Sequence, residues 1–362
     1  MKASACDECG VPEIFSAGQA WLNNGDIVQR INEKARMGFI ECENLDPLFK
    51  NIGDLIGFPV EELIINSTAR GSAIYLERLI PEEVKTLFRN GDMGADVFIK
   101  SISNYCHALG YGKYENAAFR YEGDTGDFYR QRIFRPFSLP EAAGCLAGAL
   151  AAIVGGEHSV TYEEVSPALY EFTTGWTEYP ESLKEKLRIS EYTHRDGDLE
   201  LERCGSCGCP REFSAFRWEF DQGLIVNEHT GRRMAILGTE LLDNVFEALE
   251  SELGETIPTV VIEAQRLFTK TGFYSIEQVS NEDEFRSQLA LRGLGNLRMI
   301  KMGTRGLRMR IDNVAGYLLT VGMAQGLFEM ALDEDSHVDW ELSKQGDLLV
   351  EVTPAGAAHP RS

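Results

Sequence analysis

The chain contains two copies of one sequence pattern, and each copy begins with a Cys-x-x-Cys-Gly-x-Pro motif. We call these motifs the cysteine knuckles; the first spans residues 6–12 and the second spans residues 204–210. The similarity continues beyond them, since Phe15-Ser16-Ala17 recurs as Phe213-Ser214-Ala215. A single Cys-x-x-Cys is a weak indication of function. Two that head the same longer pattern indicate that the thiols belong to the architecture of a duplicated chain.

The two halves differ in length. Gly57 and its counterpart Gly254 lie 197 residues apart, whereas Arg132 and its counterpart Arg310 lie 178 residues apart. The first half therefore carries 19 additional residues, the difference between these two separations. We expect them within residues 110–126, a stretch rich in Gly, Tyr and acidic residues.

Composition indicates a folded protein rather than a disordered, membrane or nucleic-acid-binding one. The 362 residues are 43% hydrophobic and 25% charged, which is typical of globular chains. The net charge of −22 would repel nucleic acid and anionic membranes. The longest apolar run, residues 139–154, is shorter than the about 20 residues that span a bilayer. With no signal peptide pattern at the start, we expect a cytoplasmic protein.

Each half shows the same order of predicted elements, which is clearest in the second. After the knuckle come a strand pair, a short apolar strand, and an amphipathic helix containing Leu241, Val245 and Leu249, which Gly254 can end. A second helix over residues 258–268, an alternating strand over residues 307–311, a helix of small residues and a hairpin follow. The order predicts an α+β fold, in which helices pack on an antiparallel sheet.

We expect two tandem homologous domains related by a pseudo-two-fold axis, an internal pseudo-dimer that could associate further. The predicted first domain spans residues 1–176 and the second spans residues 201–353. The polar, charged segment 177–200 is the predicted linker, and residues 354–362 are the predicted tail.

The helix of small residues carries the same glycines in both halves: Gly144 and Gly148 in the first, Gly322 and Gly326 in the second. A glycine inside a helix costs about 1 kcal/mol relative to alanine, so something must require the space. Close packing of the helix against its neighbour is one explanation. Room for a bound ligand is the other, and it makes these glycines candidate ligand-binding positions.

The chain resembles the 4-vinyl reductase or hydrocarbon-binding domain family. The resemblance rests on short segments of each half: residues 134–137, 142–150, 159–164, 316–329, 338–341 and 346–347. It implies a fold similar to certain trafficking-complex subunits and gas-sensing haem domains, usually dimeric, with a small apolar molecule held internally. Some members are sensor modules of transcription regulators, and others are linked with bacteriochlorophyll synthesis.

One departure from this family moves the expected metal site. Aromatic-sensing members bind zinc through cysteines around the final hairpin, but neither residues 165–170 nor residues 343–348 contain a cysteine. We therefore expect the metal elsewhere.

The knuckles themselves are the predicted metal ligands. Zinc prefers four tetrahedral thiolate or imidazole ligands, and a Cys-x-x-Cys-Gly turn presents two thiolates. If the knuckles meet at the pseudo-two-fold axis, Cys6, Cys9, Cys204 and Cys207 form one structural zinc site. A redox dithiol and an iron–sulfur site remain open alternatives, and so does the participation of the neighbouring Cys209.

The remaining candidates are weaker. His194 precedes the second knuckle, where a surface role or a ligand role is open. Arg132 and Arg310 recur in the two halves, either on the solvent face of a strand or lining a pocket for a carboxylate-bearing ligand.

The leading interpretation is a non-catalytic protein that binds a small apolar or aromatic molecule and carries a structural zinc. The sequence contains no Walker loop, Rossmann fingerprint, His-Glu-x-x-His or Gly-x-Ser-x-Gly motif, which favours binding over catalysis. A reductase acting on an apolar or tetrapyrrole substrate is the first alternative, and a non-catalytic interaction scaffold is the second.

Overall fold

A computed structural model describes residues 4–92, 95–178, 192–275 and 281–356 of the chain. Helices and antiparallel sheets alternate along both halves, so the predicted α+β class is confirmed. Most of the predicted linker and the end of the predicted tail lie outside the described residues, and the predicted domain boundaries stay a prediction. None of the described helices combines the length and the apolar character that crossing a membrane requires.

The first half contains six helices and seven strands within the described residues. In chain order these are α1 (Glu13–Gly18), β1 (Gln19–Trp21), β2 (Ile27–Gln29), β3 (Asn32–Glu41), α2 (Cys42–Ile56), α3 (Glu61–Leu79), α4 (Glu82–Arg89), α5 (Ala95–Ala108), β4 (Lys113–Arg120), β5 (Phe128–Phe134), α6 (Leu139–Val154), β6 (Glu157–Ser166) and β7 (Leu169–Thr177).

The second half repeats this order, with a short 3₁₀ turn over Arg211–Ala215 in the place of α1. Its described elements are β8 (Phe216–Glu219), β9 (Leu224–Asn227), β10 (Arg233–Gly238), α7 (Thr239–Leu253), α8 (Ile257–Phe268), α9 (Glu282–Leu291), β11 (Asn296–Gly303), β12 (Gly306–Asp312), α10 (Tyr317–Leu332), β13 (Ser336–Leu342) and β14 (Leu348–Pro354).

The two halves share one six-stranded sheet in the order β1-β2-β3-β10-β9-β8. Its central pair is β3 with β10, in which Phe39 lies opposite Ile236. These two residues are repeat counterparts, 197 positions apart. A residue that pairs with its own counterpart lies on a two-fold axis, so the internal pseudo-two-fold axis passes through this strand pair.

Hydrogen bonds cross between the halves on both sides of the axis. The N–H of Phe39 donates to the carbonyl of Arg292 at 2.8 Å, and the N–H of Ile236 donates to the carbonyl of Leu109 at 3.0 Å. The approach is close enough at Gly25 that a Cβ there would lie 2.4 Å from the carbonyl oxygen of Gly295. The halves are therefore interleaved rather than packed side by side.

The crossing bonds also locate the additional residues of the first half. Leu109 and Arg292 occupy equivalent places 183 residues apart, so 14 of the 19 additional residues precede Leu109. They build α4 and lengthen α5. The other five enlarge the turn between β4 and β5. The expectation that all of them lie within residues 110–126 is wrong for the 14, because a helical insertion has no glycine-rich signature.

Each half also has a four-stranded antiparallel sheet, β4-β5-β7-β6 in the first and β11-β12-β14-β13 in the second. Helices cover one face of each sheet, and charged side chains occupy the other. The helix of small residues spans Leu139–Val154, as the sequence predicts, and packs against α3. This packing places α3, α5 and α6 around the interior of the first half.

Candidate functional site

Each cysteine knuckle is a tight turn closed by its own backbone. The N–H of Cys6 donates to the carbonyl of Val11 at 2.9 Å, and the N–H of Gly10 donates to the carbonyl of Cys6 at 2.8 Å. The second knuckle repeats both bonds, and Gly208 has the same φ of 74° as Gly10. Glycine is favoured at this place because other residues are strained at positive φ.

The knuckles meet at the pseudo-two-fold axis, and their thiols converge. The Sγ atoms of Cys6 and Cys204 are 3.7 Å apart, and those of Cys9 and Cys207 are 3.4 Å apart. All four Sγ atoms lie within 4.8 Å of one another. Each close pair joins repeat counterparts, so the same axis that passes through β3 and β10 passes through this four-cysteine cluster.

The cluster suits a single tetrahedral metal ion. Metal–sulfur bonds of about 2.3 Å place the sulfurs of a regular tetrahedron roughly 3.8 Å apart, close to the separations found here. In a multi-iron cluster each thiolate binds a different iron, and the sulfurs would have to lie further apart. Backbone N–H groups of Cys9 and Glu8 lower the pKa of the Cys6 thiol to about 7, which favours the thiolate that a metal needs.

The first knuckle also holds the second through a carboxylate. Glu8 accepts the hydroxyl hydrogen of Ser206 at 2.9 Å and the backbone N–H of Ser206 at 3.2 Å. These contacts join residues that precede the second cysteine of each knuckle. They orient the two turns relative to each other independently of the metal.

Neither open candidate joins the four-cysteine cluster. Cys209 is buried, and burial raises the pKa of its thiol to about 12. His194 is exposed, with Nε2 3.4 Å from Asp196 and Nδ1 3.4 Å from the Tyr192 hydroxyl. Both residues lie outside the set of thiols that converge.

The predicted ligand-binding glycines lie between packed helices. A Cβ on Gly148 would lie 2.3 Å from the carbonyl oxygen of Ala69, and one on Gly144 would lie 2.5 Å from Cβ of Thr68. Gly322 and Gly326 meet α8 and the turn that follows it at similarly short distances. Close packing, the first explanation offered above, therefore describes these glycines, and none of the four lines the cavity described below.

The predicted arginines lie on the solvent faces of their sheets. Nε of Arg132 donates to Glu171 at 2.8 Å, and Nε of Arg310 donates to Asp312 at 3.2 Å. Both side chains are about half exposed, and neither lines the cavity. The carboxylate-bearing ligand therefore loses the observation that suggested it.

A cavity of about 360 Å³ lies inside the first half, bounded by α3, α5, α6 and the sheet of β4 and β5. This size is at the lower end of small-molecule sites. The wall is mostly apolar, with five tyrosines and two cysteines: Tyr75, Tyr105, Tyr111, Tyr114, Tyr129, Cys106 and Cys145. Residues of α7 and the glycine before it close one side, so the second half contributes to the cavity of the first.

The equivalent space in the second half is filled by larger side chains. Cys145 and Ala149 on α6 correspond to Met323 and Leu327 on α10, 178 residues later. Leu327 packs in a buried cluster with two aromatic rings, and Met323 lies against it. One half has thus become solid where the other is hollow.

Sequence reasoning missed the cavity residues. The tyrosines are spread over α3, α5, β4 and β5 and share no spacing that a motif could reveal. A comparison of the two halves contains the only signal, because small residues on α6 face large ones at the same places on α10.

Comparison with known proteins adds little to this geometry. No family model and no curated protein matches the chain. The solved structures that share some similarity are H-NOX domains. A Cs H-NOX mutant with 4-cyano-L-phenylalanine is 15% identical over 33% of this chain and 75% of that chain, with a TM-score of 0.25. A mutant of the T. Tengcongensis H-NOX is 15% identical over 34% of this chain and 77% of that chain, also with a TM-score of 0.25.

Scores this low carry no argument about what this chain is or binds. The resemblance to the 4-vinyl reductase family stays a prediction.

Proposed function

We propose that this chain binds one small apolar molecule in the cavity of its first half and one structural zinc ion in the four-cysteine cluster. The observation that carries the binding function is the asymmetry between the halves. A space that stays open in one copy, and is filled by ordinary core side chains in the other, has a use beyond packing, since empty volume in a core is destabilising.

A filling variant tests the ligand site. The double substitution Cys145→Met and Ala149→Leu copies the second half into the first. A neutral fluorescent probe, N-phenyl-1-naphthylamine, is expected to bind the natural chain saturably at one site and the double variant at least about ten-fold more weakly.

The matched control is Leu327→Met, which changes a core side chain of the second half without adding volume, and it should bind the probe normally. Equal binding by the natural chain and the filled variant would contradict the proposal.

Metal analysis tests the zinc site. About one zinc per chain is expected after purification without chelators, because four thiolates complete one tetrahedral ion. Cys204→Ser should lose the metal, whereas Cys209→Ala, which changes a thiol outside the cluster, should keep it. Two metal ions per chain, a coloured iron centre, or full zinc retention by Cys204→Ser would each contradict a single structural zinc.

Among the described residues we find no observation that favours the reductase or scaffold alternatives over binding. A tightly bound flavin, or turnover with a reduced electron donor, would favour the reductase.

A further inference from the structure

Three polar side chains of the cavity wall lie next to one another, and we call them the amide–hydroxyl patch: Gln29, Tyr75 and Tyr105. They come from β2, α3 and α5 respectively. Nε2 of Gln29 donates to the hydroxyl oxygen of Tyr105 at 3.1 Å. The patch therefore has one internal hydrogen bond, which fixes the orientation of the Gln29 amide.

Two atoms of the patch have no hydrogen-bond partner. Oε1 of Gln29 and the hydroxyl of Tyr75 are both buried and unpaired. The two groups lie close enough for Gln29 to influence the acidity of Tyr75, but they do not meet in hydrogen-bonding geometry. Nearly all buried polar atoms in folded proteins are paired, so unpaired ones at a cavity wall mark the place of an absent partner.

The charges at the wall favour an uncharged partner. Arg36 lines the cavity, but it forms a buried ion pair with Asp26 and donates to carbonyl groups of the second half. The carboxylate of Glu240 also lines the cavity. An anionic head group would therefore meet no uncompensated cation.

The tyrosines of the patch keep their protons at neutral pH. Burial raises the pKa of Tyr105 to about 12 and raises that of Tyr75 well above its ordinary value. Each phenol is thus a neutral group that can both donate and accept a hydrogen bond.

The patch belongs to the hollow half. The positions that correspond to Gln29, Tyr75 and Tyr105 in the second half hold Asn227, Gly272 and Gln288. Where the space is filled, the tyrosine hydroxyls are missing as well.

We infer that the ligand of this cavity has an apolar body and one uncharged hydroxyl head group, which donates to Oε1 of Gln29 and accepts from the hydroxyl of Tyr75. This inference rests on the proposed binding function and names the class of ligand within it. The head group would complete the patch, while the rest of the molecule fills the space between α3, α5 and α6.

The test compares three probes of similar length that displace N-phenyl-1-naphthylamine from the full chain: 1-octanol, 1-chlorooctane and octanoate at pH 8. We expect 1-octanol to bind best, because it alone supplies a neutral donor and acceptor. Gln29→Leu and Tyr75→Phe should each weaken 1-octanol roughly three- to ten-fold and leave 1-chlorooctane unchanged. Tyr129→Phe removes a hydroxyl from another part of the same cavity and should leave the order of the probes intact.

The outcomes separate this inference from the proposed function. If the natural chain binds all three probes equally, or prefers octanoate, the head-group inference fails while the binding function stands. If the natural chain binds neither the fluorescent probe nor any of the three, the proposed function fails with it. The comparison within the natural chain does not depend on any variant folding correctly.

Discussion

At the scale of single residues, Glu141 is the most unusual side chain in the described part of the chain. It lies in the first turn of α6 and is only 4% exposed, with one carboxylate oxygen buried and unpaired. Desolvation, together with the nearby Asp46, raises its pKa to about 8. The folded protein therefore holds a proton on Glu141 at neutral pH, whereas the unfolded chain releases it near pH 4.

Glu141→Gln should remove this pH dependence. Because the folded pKa is raised, the stability linked to this proton is fully present below about pH 4 and is lost as the pH rises towards 8. Between pH 5 and pH 8 the natural chain should lose stability relative to the variant, on the order of 2 kcal/mol. Urea unfolding at several pH values measures the difference. Glu163→Gln, on an exposed position of β6, is the control, and parallel pH profiles for the natural chain and Glu141→Gln would contradict the prediction.

The cysteines are the residues that the sequence predicted best. Cys6 and Cys204 were expected to meet because a duplicated knuckle and a pseudo-two-fold axis leave one simple arrangement, and their Sγ atoms lie 3.7 Å apart. Arg132 could not be assigned in the same way. Its alternation along a strand fits a pocket wall and a solvent face equally, and only the ion pair with Glu171 distinguishes them.

At the scale of elements, the contact of α6 with α3 depends on the absence of two side chains. Gly148→Ala would place a Cβ 2.3 Å from the carbonyl oxygen of Ala69 and 2.7 Å from Cβ of Ser72. Backbone atoms cannot move aside cheaply, so we expect a loss of about 1–3 kcal/mol in the free energy of unfolding. Gly303→Ala, where a Cβ meets nothing within 4 Å, should cost far less.

Chemical denaturation of both glycine variants provides the measurement. If Gly148→Ala were as stable as the natural chain, the helices would have room to separate, and close packing would no longer explain this glycine.

Elements were predictable where local chemistry defines them. Residues 139–154 read as a helix from their small apolar residues, and α6 spans the same residues. The cavity was not predictable, because its wall depends on α4 and the long α5, which have no counterpart of equal length in the second half. Its volume results from how distant elements pack, and no local pattern encodes that.

At the scale of the whole molecule, the metal should stabilise the assembly of the two halves. Each knuckle supplies two thiols, and one ion would bind both. Removing zinc with a strong chelator should lower Tm by about 5 °C or more, since four convergent thiols lose their common partner. Re-addition of zinc should restore Tm. An unchanged Tm after complete metal removal, confirmed by elemental analysis, would show that the knuckles are held by Glu8 and Ser206 and the sheet alone.

The pseudo-two-fold axis has a consequence for how such a chain can diverge. In a dimer of identical subunits every substitution appears on both sides, so a hollow core and a solid core cannot coexist. Fusion of the copies into one gene removes that restriction away from the axis, where Cys145 and its counterpart Met323 now differ. On the axis the restriction persists, because Phe39 and Ile236 touch each other and must change together. Duplication thus gave this protein one half free to specialise and a seam that keeps both halves compatible.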